Sequence, residues 1–160
     1  MDNLKEYSML KTIEGVIITQ KKIICDDRGR IMHIMKSQDD NYSQFGEVYI
    51  STVYPGIVKG WHLHDKMTLN YVVVKGMIKF ALYDARKNSK TFGLIQEVYL
   101  GEHNYVQVTV PPGVWNGFMG LGAEEAPVIN FTDIPHDPHE IHRCDPHEND
   151  IPYSWKIKDR

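Results

Sequence analysis

An all-β, jelly-roll-like domain is what this sequence predicts. Short runs rich in Val, Ile, Tyr and Thr fill its middle, and these residue types suit a pleated, half-buried surface. Gly, Pro, Asn and Asp interrupt the runs every few residues, which ends strands in turns. Helix signals are weak throughout, so any helix is short and confined to the tail or the first ten residues. At 160 residues the chain is long enough for one well-buried core and too short for two full domains. A single domain over 1–160 is expected.

In chain order the first strands are expected near 15–19 and 31–36, each a short apolar run. "EVYISTVY" marks 47–54 and "IVKGWH" marks 57–62. The Val-rich "LNYVVV" and the mixed "MIKFALY" give 69–74 and 77–83. Further strands follow at 94–100, 105–110, 117–120 and 127–132. About ten strands in so small a unit imply a sandwich or barrel, because closure or double-sheet packing is how such chains manage their edges. From 134 to 152 the sequence becomes "IPHDPHEIHRCDPHENDIP", with four histidines, four prolines and no strand periodicity. It reads as a long ordered loop.

Composition narrows the function classes. The chain is 42% hydrophobic and 24% charged, with no apolar run near membrane-spanning length. Its start, "MDNLKEYSML", does not read as a secretory signal. A cytoplasmic protein is expected, with Cys25 and Cys144 as reduced, unpaired thiols. A net charge of -3 argues against a general nucleic-acid surface while leaving room for a local cationic pocket. Neither nucleic acid nor membrane is expected as a partner.

The chemistry concentrates in "GIVKGWHLHDKMTLNYVVVKG", residues 56–76. Alternation along a strand puts His62 and His64 on one face and Trp61 and Leu63 on the other. Two readings compete: a metal site or proton transfer. The stretch resembles the first cupin motif, with Gly56, His62, His64 and Gly76 in register, but the glutamate ligand position is Leu69. "PPGVWNGF" resembles the second motif through Pro111 and Gly113, with Asn116 where the histidine ligand belongs. Two of four ligands are missing, and divalent metals want three or four N, O or S donors. Proton chemistry is the better reading, and no metal is expected. His136, His139, His142 and His147 are read as solvated loop side chains, because Pro135, Pro138 and Pro146 deny them a helix face.

Five separated motifs extend the resemblance: "DDRGRI" (26–31), "GIVKGWH" (56–62), "YDARKNSKTFG" (83–93), "VPPGVWNGF" (110–118) and "EIHRCDP" followed by "IPYSW" (140–155). In this order they resemble the dTDP-4-dehydrorhamnose 3,5-epimerase family over about 26–155. The resemblance implies a cupin-type jelly roll, or double-stranded β-helix. It also implies a metal-free homodimer without a cofactor, acting on a nucleotide-linked 4-keto-6-deoxy sugar. A ketone at C4 acidifies the protons on C3 and C5, so a base can remove one, and reprotonation from the other face inverts the centre. By resemblance His62 matches the family's general base. Arg28, Lys59 and Arg86 match or neighbour basic positions around the pyrophosphate, with Lys59 where arginine is usual.

Three expected groups are absent. The family lysine falls on Leu69, the histidine of its second motif on Asn116 and its tyrosine acid on Asn130. "GWHLHDK" also resembles the "GFHAHKK" motif of the dTDP-4-keto-6-deoxyglucose 3,4-ketoisomerases, and Tyr49 resembles a tyrosine of that group. The expected functions are therefore an epimerase, a 3,4-ketoisomerase or a catalytically silent nucleotide-sugar-binding protein. His62, His64 and Tyr49 are the catalytic candidates, and Arg28, Lys59, Arg86, Asn116 and Asn130 the substrate-binding ones. Tyr49 can equally be a core aromatic. Arg86 can pair with Asp84 or Asp26 instead of phosphate, and the two asparagines can serve buried backbone groups. Asp145 or Asp159 is the carboxylate expected to orient the base histidine.

Overall fold

The computed structural model describes residues 12–159, and the suggestion of a helix in the first ten residues lies outside them. Twelve strands make up the described secondary structure: β1 (Ile17–Gln20), β2 (Ile23–Asp26), β3 (Gly29–Met32), β4 (Glu47–Val53), β5 (Val58–His64), β6 (Leu69–Val73), β7 (Met77–Asp84), β8 (Ile95–Gly101), β9 (Val106–Val110), β10 (Val114–Leu121), β11 (Ala126–Thr132) and β12 (Ile141–Arg143). One five-stranded sheet has the order β1-β9-β6-β11-β4 and faces a second with the order β12-β5-β10-β7-β8; β2 and β3 form a separate hairpin. This is the all-β jelly roll of the cupin type. No helix among the described residues is long and apolar enough to cross a membrane.

Nine of the ten expected strands lie where the sequence places them, to within a few residues. Two departures are corrections. The expected strand at 31–36 forms earlier, as β3, paired with an unforeseen β2 across the Asp26–Gly29 turn. The segment 134–152 is not all loop, because Ile141–Arg143 adds β12 to the free edge of β5. A three-residue strand is too short to show a period, so only the edge it pairs with reveals it.

The main core fills the space between the sheets. Ile78, Phe80 and Leu82 of β7 meet Leu69, Tyr71 and Val73 of β6 there, all at most 5% exposed. The outer face of β7 is covered as well, by the C-terminal segment. Trp155 packs on Trp61 with ring centroids 5.1 Å apart, and the Lys79 ammonium donates to the carbonyls of Trp155 (3.1 Å) and Lys156 (3.3 Å). Trp61 thus anchors the tail while its neighbours His62 and His64 face inward.

One irregularity shapes the site. Asn116 of β10 stands opposite His62, but Phe118 stands opposite Lys59, so three steps on β5 match two on β10. Such a bulge breaks the simple alternation and turns an extra side chain inward. Lys59 and His62, three residues apart, therefore share a face. The strands touch at this point: a Cβ added to Gly60 would lie 2.8 Å from the Gly117 Cα. Only glycine fits so close a backbone approach.

Candidate active site

A cavity of about 370 Å³ lies between the two sheets. Its lining comes from β4 (Glu47, Tyr49, Ser51), β5 (Val58, Lys59, Gly60, His62, His64), β6 (Tyr71) and β10 (Phe118), together with Met67 and the late segment through His136, Ile141, Arg143 and Pro146. Four expected residues, His62, His64, Tyr49 and Lys59, thus meet in one place although they come from two strands of different sheets.

On the β5 wall, pairing sets Arg143 of β12, His62 and Asn116 of β10 side by side on three adjacent strands. The Asn116 amide donates to the His62 carbonyl (3.1 Å) and so holds the backbone beneath the imidazole. Among the described residues nothing hydrogen-bonds the His62 ring. Its pKa is pushed down to about 4, chiefly by burial, with repulsion from Arg143 and His64 adding to it. His62 is therefore uncharged at neutral pH.

His64 has different company. It is 7% exposed, and its Nδ1 is hydrogen-bonded to the Glu140 carboxylate, which is 3% exposed. The second Glu140 oxygen accepts the amides of Lys66 (3.0 Å) and Met67 (3.2 Å). Burial raises the Glu140 pKa, but the bonds from His64 and these amides outweigh it and hold the carboxyl below its ordinary value. The orienting carboxylate is thus Glu140 and its histidine is His64, which corrects the expectation of Asp145 or Asp159. Asp145 is occupied in its own turn, accepting the amides of His147 and Glu148 at 2.8 Å, and Asp159 is exposed.

The opposite wall carries a row of neutral groups beside Glu47. Tyr49 of β4, Asn130 of β11 and Tyr71 of β6 are direct cross-strand neighbours. Asn130 Nδ2 donates to the Tyr49 oxygen at 2.8 Å, while the Tyr71 hydroxyl donates to Asn116 Oδ1 at 3.4 Å. Because Tyr49 accepts from Asn130, its own proton is left to be donated. The Tyr49 pKa is raised, chiefly by burial, while the hydrogen bond from Asn130 pulls the other way. Asn130 also accepts the Asn70 amide at 3.1 Å.

The other expected residues lie elsewhere. Asn116 and Asn130 are 1% and 0% exposed, behind the cavity surface. Leu69 is part of the apolar core. Arg86 does not line the cavity: its guanidinium bonds both oxygens of buried Asp84 (2.8 and 2.9 Å) and the Glu14 carbonyl (2.6 Å). Arg28 sits on the β2–β3 turn, its side chain 90% exposed and paired with Asp26. Of the late histidines, His136 lines the cavity and His142 pairs with Asp65 at 2.9 Å. Cys25 and Cys144 are free thiols. Sequence reasoning missed Glu140, Arg143 and Tyr71. The first two stand inside the motif "EIHRCDP", whose glutamate and arginine were the available signal.

What the arrangement can do is move protons. An uncharged imidazole and an imidazole–carboxylate pair face a phenol across a space that holds a small organic ring, with Lys59 and Arg143 supplying positive charge for an anionic ligand.

Comparison with known proteins agrees. A family model described as dTDP-4-dehydrorhamnose 3,5-epimerase matches residues 11–160. The chain is 33% identical over 146 residues to a probable low-salt glycan biosynthesis epimerase of Haloferax volcanii, covering 90% of each. It is 31% identical to a spore coat polysaccharide biosynthesis protein of Bacillus subtilis, covering 88% of this chain and 90% of that one. Among solved structures it is similar to a dTDP sugar isomerase from Desulfovibrio desulfuricans, at 38% identity and a TM-score of 0.88, over 92% of this chain and 94% of the other. Fold, cavity and sequence agree that this chain belongs to the dTDP-4-dehydrorhamnose 3,5-epimerase family of nucleotide-sugar isomerases.

Proposed function

We propose that the chain is a cofactor-independent epimerase acting at C3, C5 or both of a dTDP-linked 4-keto-6-deoxy sugar, in surface polysaccharide or glycan biosynthesis. The observation that carries this reading is the placement of proton-accepting and proton-donating groups on opposite walls. His62 and His64 stand on β5, Tyr49 on β4 of the facing sheet. Inversion requires removal of a proton from one face of the sugar and delivery to the other, and two walls of opposite character supply that. Lys59 and Arg143 bind the diphosphate. Asn116 and Asn130 serve the substrate indirectly, by holding His62 and Tyr49 in place. The dTDP assignment is supported by the similarity to a dTDP sugar isomerase, and the pathway by the two curated relatives.

The chain works as one cupin-like domain and as a cytoplasmic homodimer. Edge strand β4 leaves Val48 and Ile50 at 51% and 62% exposure, and the β2–β3 hairpin leaves Ile24 and Ile31 at 41% and 62%. A second copy would cover this apolar area. Arg28, remote from its own cavity, then meets substrate in the partner's. Free thiols are in keeping with a reducing compartment.

Incubation with dTDP-4-keto-6-deoxyglucose in D2O tests the activity: deuterium is expected at C3 or C5 of an epimerised product that keeps its carbonyl at C4. No exchange with any such nucleotide sugar removes the epimerase reading. The pair of histidines in one cavity with Tyr49 favours one second reading, a 3,4-ketoisomerase, and a carbonyl found at C3 would establish it.

A further inference from the structure

We propose that Glu140 makes His64, rather than His62, the residue that takes the substrate proton, an assignment that rests on the epimerase reading above. The two imidazoles share a strand face and a cavity, so position alone does not separate them. Their surroundings do. Glu140 is ionised and almost fully buried, and its Oε2 is fixed by the amides of Lys66 and Met67. Its Oε1 is thereby aimed at His64 Nδ1. The ring proton of neutral His64 sits on Nδ1, donated to the carboxylate, and the lone pair sits on Nε2, the nitrogen left for the cavity. As the imidazole gains a proton, the adjacent carboxylate stabilises the imidazolium. His62 has no such partner, and the cation it would form faces Arg143 across the β5–β12 pair. The burial and repulsion that depress its pKa oppose the same step. The ionisable groups around His64 are Glu140 from the late segment and, lining the same cavity, His62 and Lys59 of its own strand, Glu47 and Tyr49 of β4, Tyr71 of β6, and His136 and Arg143.

The step balances without a co-reactant. His64 Nε2 takes the proton from the carbon beside the C4 ketone. The C–H electron pair becomes the enolate double bond, and the carbonyl pair moves onto oxygen. Tyr49 then gives its proton to the opposite face of that carbon and the carbonyl re-forms. His64 is left protonated and Tyr49 deprotonated, and exchange with solvent resets both. Neutral His62 is free to donate a hydrogen bond to the enolate oxygen, a task for which the lysine expected at Leu69 is absent.

Glu140→Gln is the direct test, because two amides must still be met by the side-chain oxygen. The glutamine NH2 then faces His64 Nδ1 and forces the ring proton onto Nε2, the wrong tautomer for a base. The expected result is a kcat lower by about 100-fold or more with KM within about threefold. Glu140→Asp should recover part of the rate, and His64→Asn should lose more deuterium exchange than His62→Asn. Wild-type kcat in Glu140→Gln, or the reverse order of the two histidine variants, overturns the assignment. A readout independent of turnover uses 15N NMR of the imidazoles. An Nδ1–H tautomer of His64 in the wild type that switches to Nε2–H in Glu140→Gln shows that Glu140 sets the ring for proton uptake whether or not the protein turns over, whereas wild-type protein that exchanges no sugar proton removes the epimerase reading itself. A tautomer that does not respond overturns the assignment. If Glu140→Gln fails to fold, the same measurements on Glu140→Asp decide, with a wild-type rate and an unaltered His64 signal counting against it.

Discussion

The β5 wall of the cavity carries imidazoles faced by charged groups from the far end of the chain, whereas the facing β4–β11–β6 wall carries phenols tied to neutral amides. Glu140 and Arg143 reach the first wall from a short edge strand and the loop before it. Asn130 serves the second from the middle of a sheet. The difference has a chemical use. A base that works near neutral pH has to gain and lose charge readily, so it needs a nearby charge to hold its protonation state. A donor that protonates an enolate has to stay neutral until that moment, and a phenol held by the Asn130 amide does so.

The contrast breaks most visibly at Tyr49. Tyr49→Phe is expected to lower epimer formation by about 100-fold, while deuterium still enters the substrate because the β5 wall continues to make the enolate. NMR of the product in D2O separates the two quantities, and equal loss of both would show that the walls do not divide the labour.

Arg86→Gln sharpens the contrast from outside the cavity. Asp84 is fully buried, and although burial raises its pKa, bonds from Arg86, Ser89 and Thr91 hold the carboxyl well below the usual range. Removing the guanidinium leaves that charge short of a partner, for a loss of roughly 2 to 4 kcal/mol. Chemical denaturation reads this loss, and kcat/KM per folded molecule should change by less than about threefold. A large fall in kcat/KM with unchanged stability would return Arg86 to the substrate.

The smallest expected effect is a pH dependence of stability from the β5 wall alone. His62 has an ordinary pKa of 6.5 and a folded-state value of about 4, so between these limits the unfolded chain binds more protons than the folded one. Stability therefore falls as pH is lowered through 6.5 towards 4, and His62→Asn should flatten that slope in thermal melts. Tyr49→Phe should leave it untouched, and a slope unchanged in His62→Asn would mean that the imidazole is solvated.

By itself the sequence determined the strand content and the shared face of His62 and His64, because a strand's period of two is a property of the backbone and needs no partner. It also carried the family through its five ordered motifs. The tertiary structure decided what those histidines do. Lys59 joins their face only because β5 bulges against β10. His64 finds its carboxylate 76 residues away, and Tyr49 its amide 81 residues away. Arg86, in contrast, is claimed by Asp84 two residues before it. Side chains on neighbouring strands meet according to sheet register, and register is set by the simultaneous fit of every inward face around the core, which no local stretch of sequence contains.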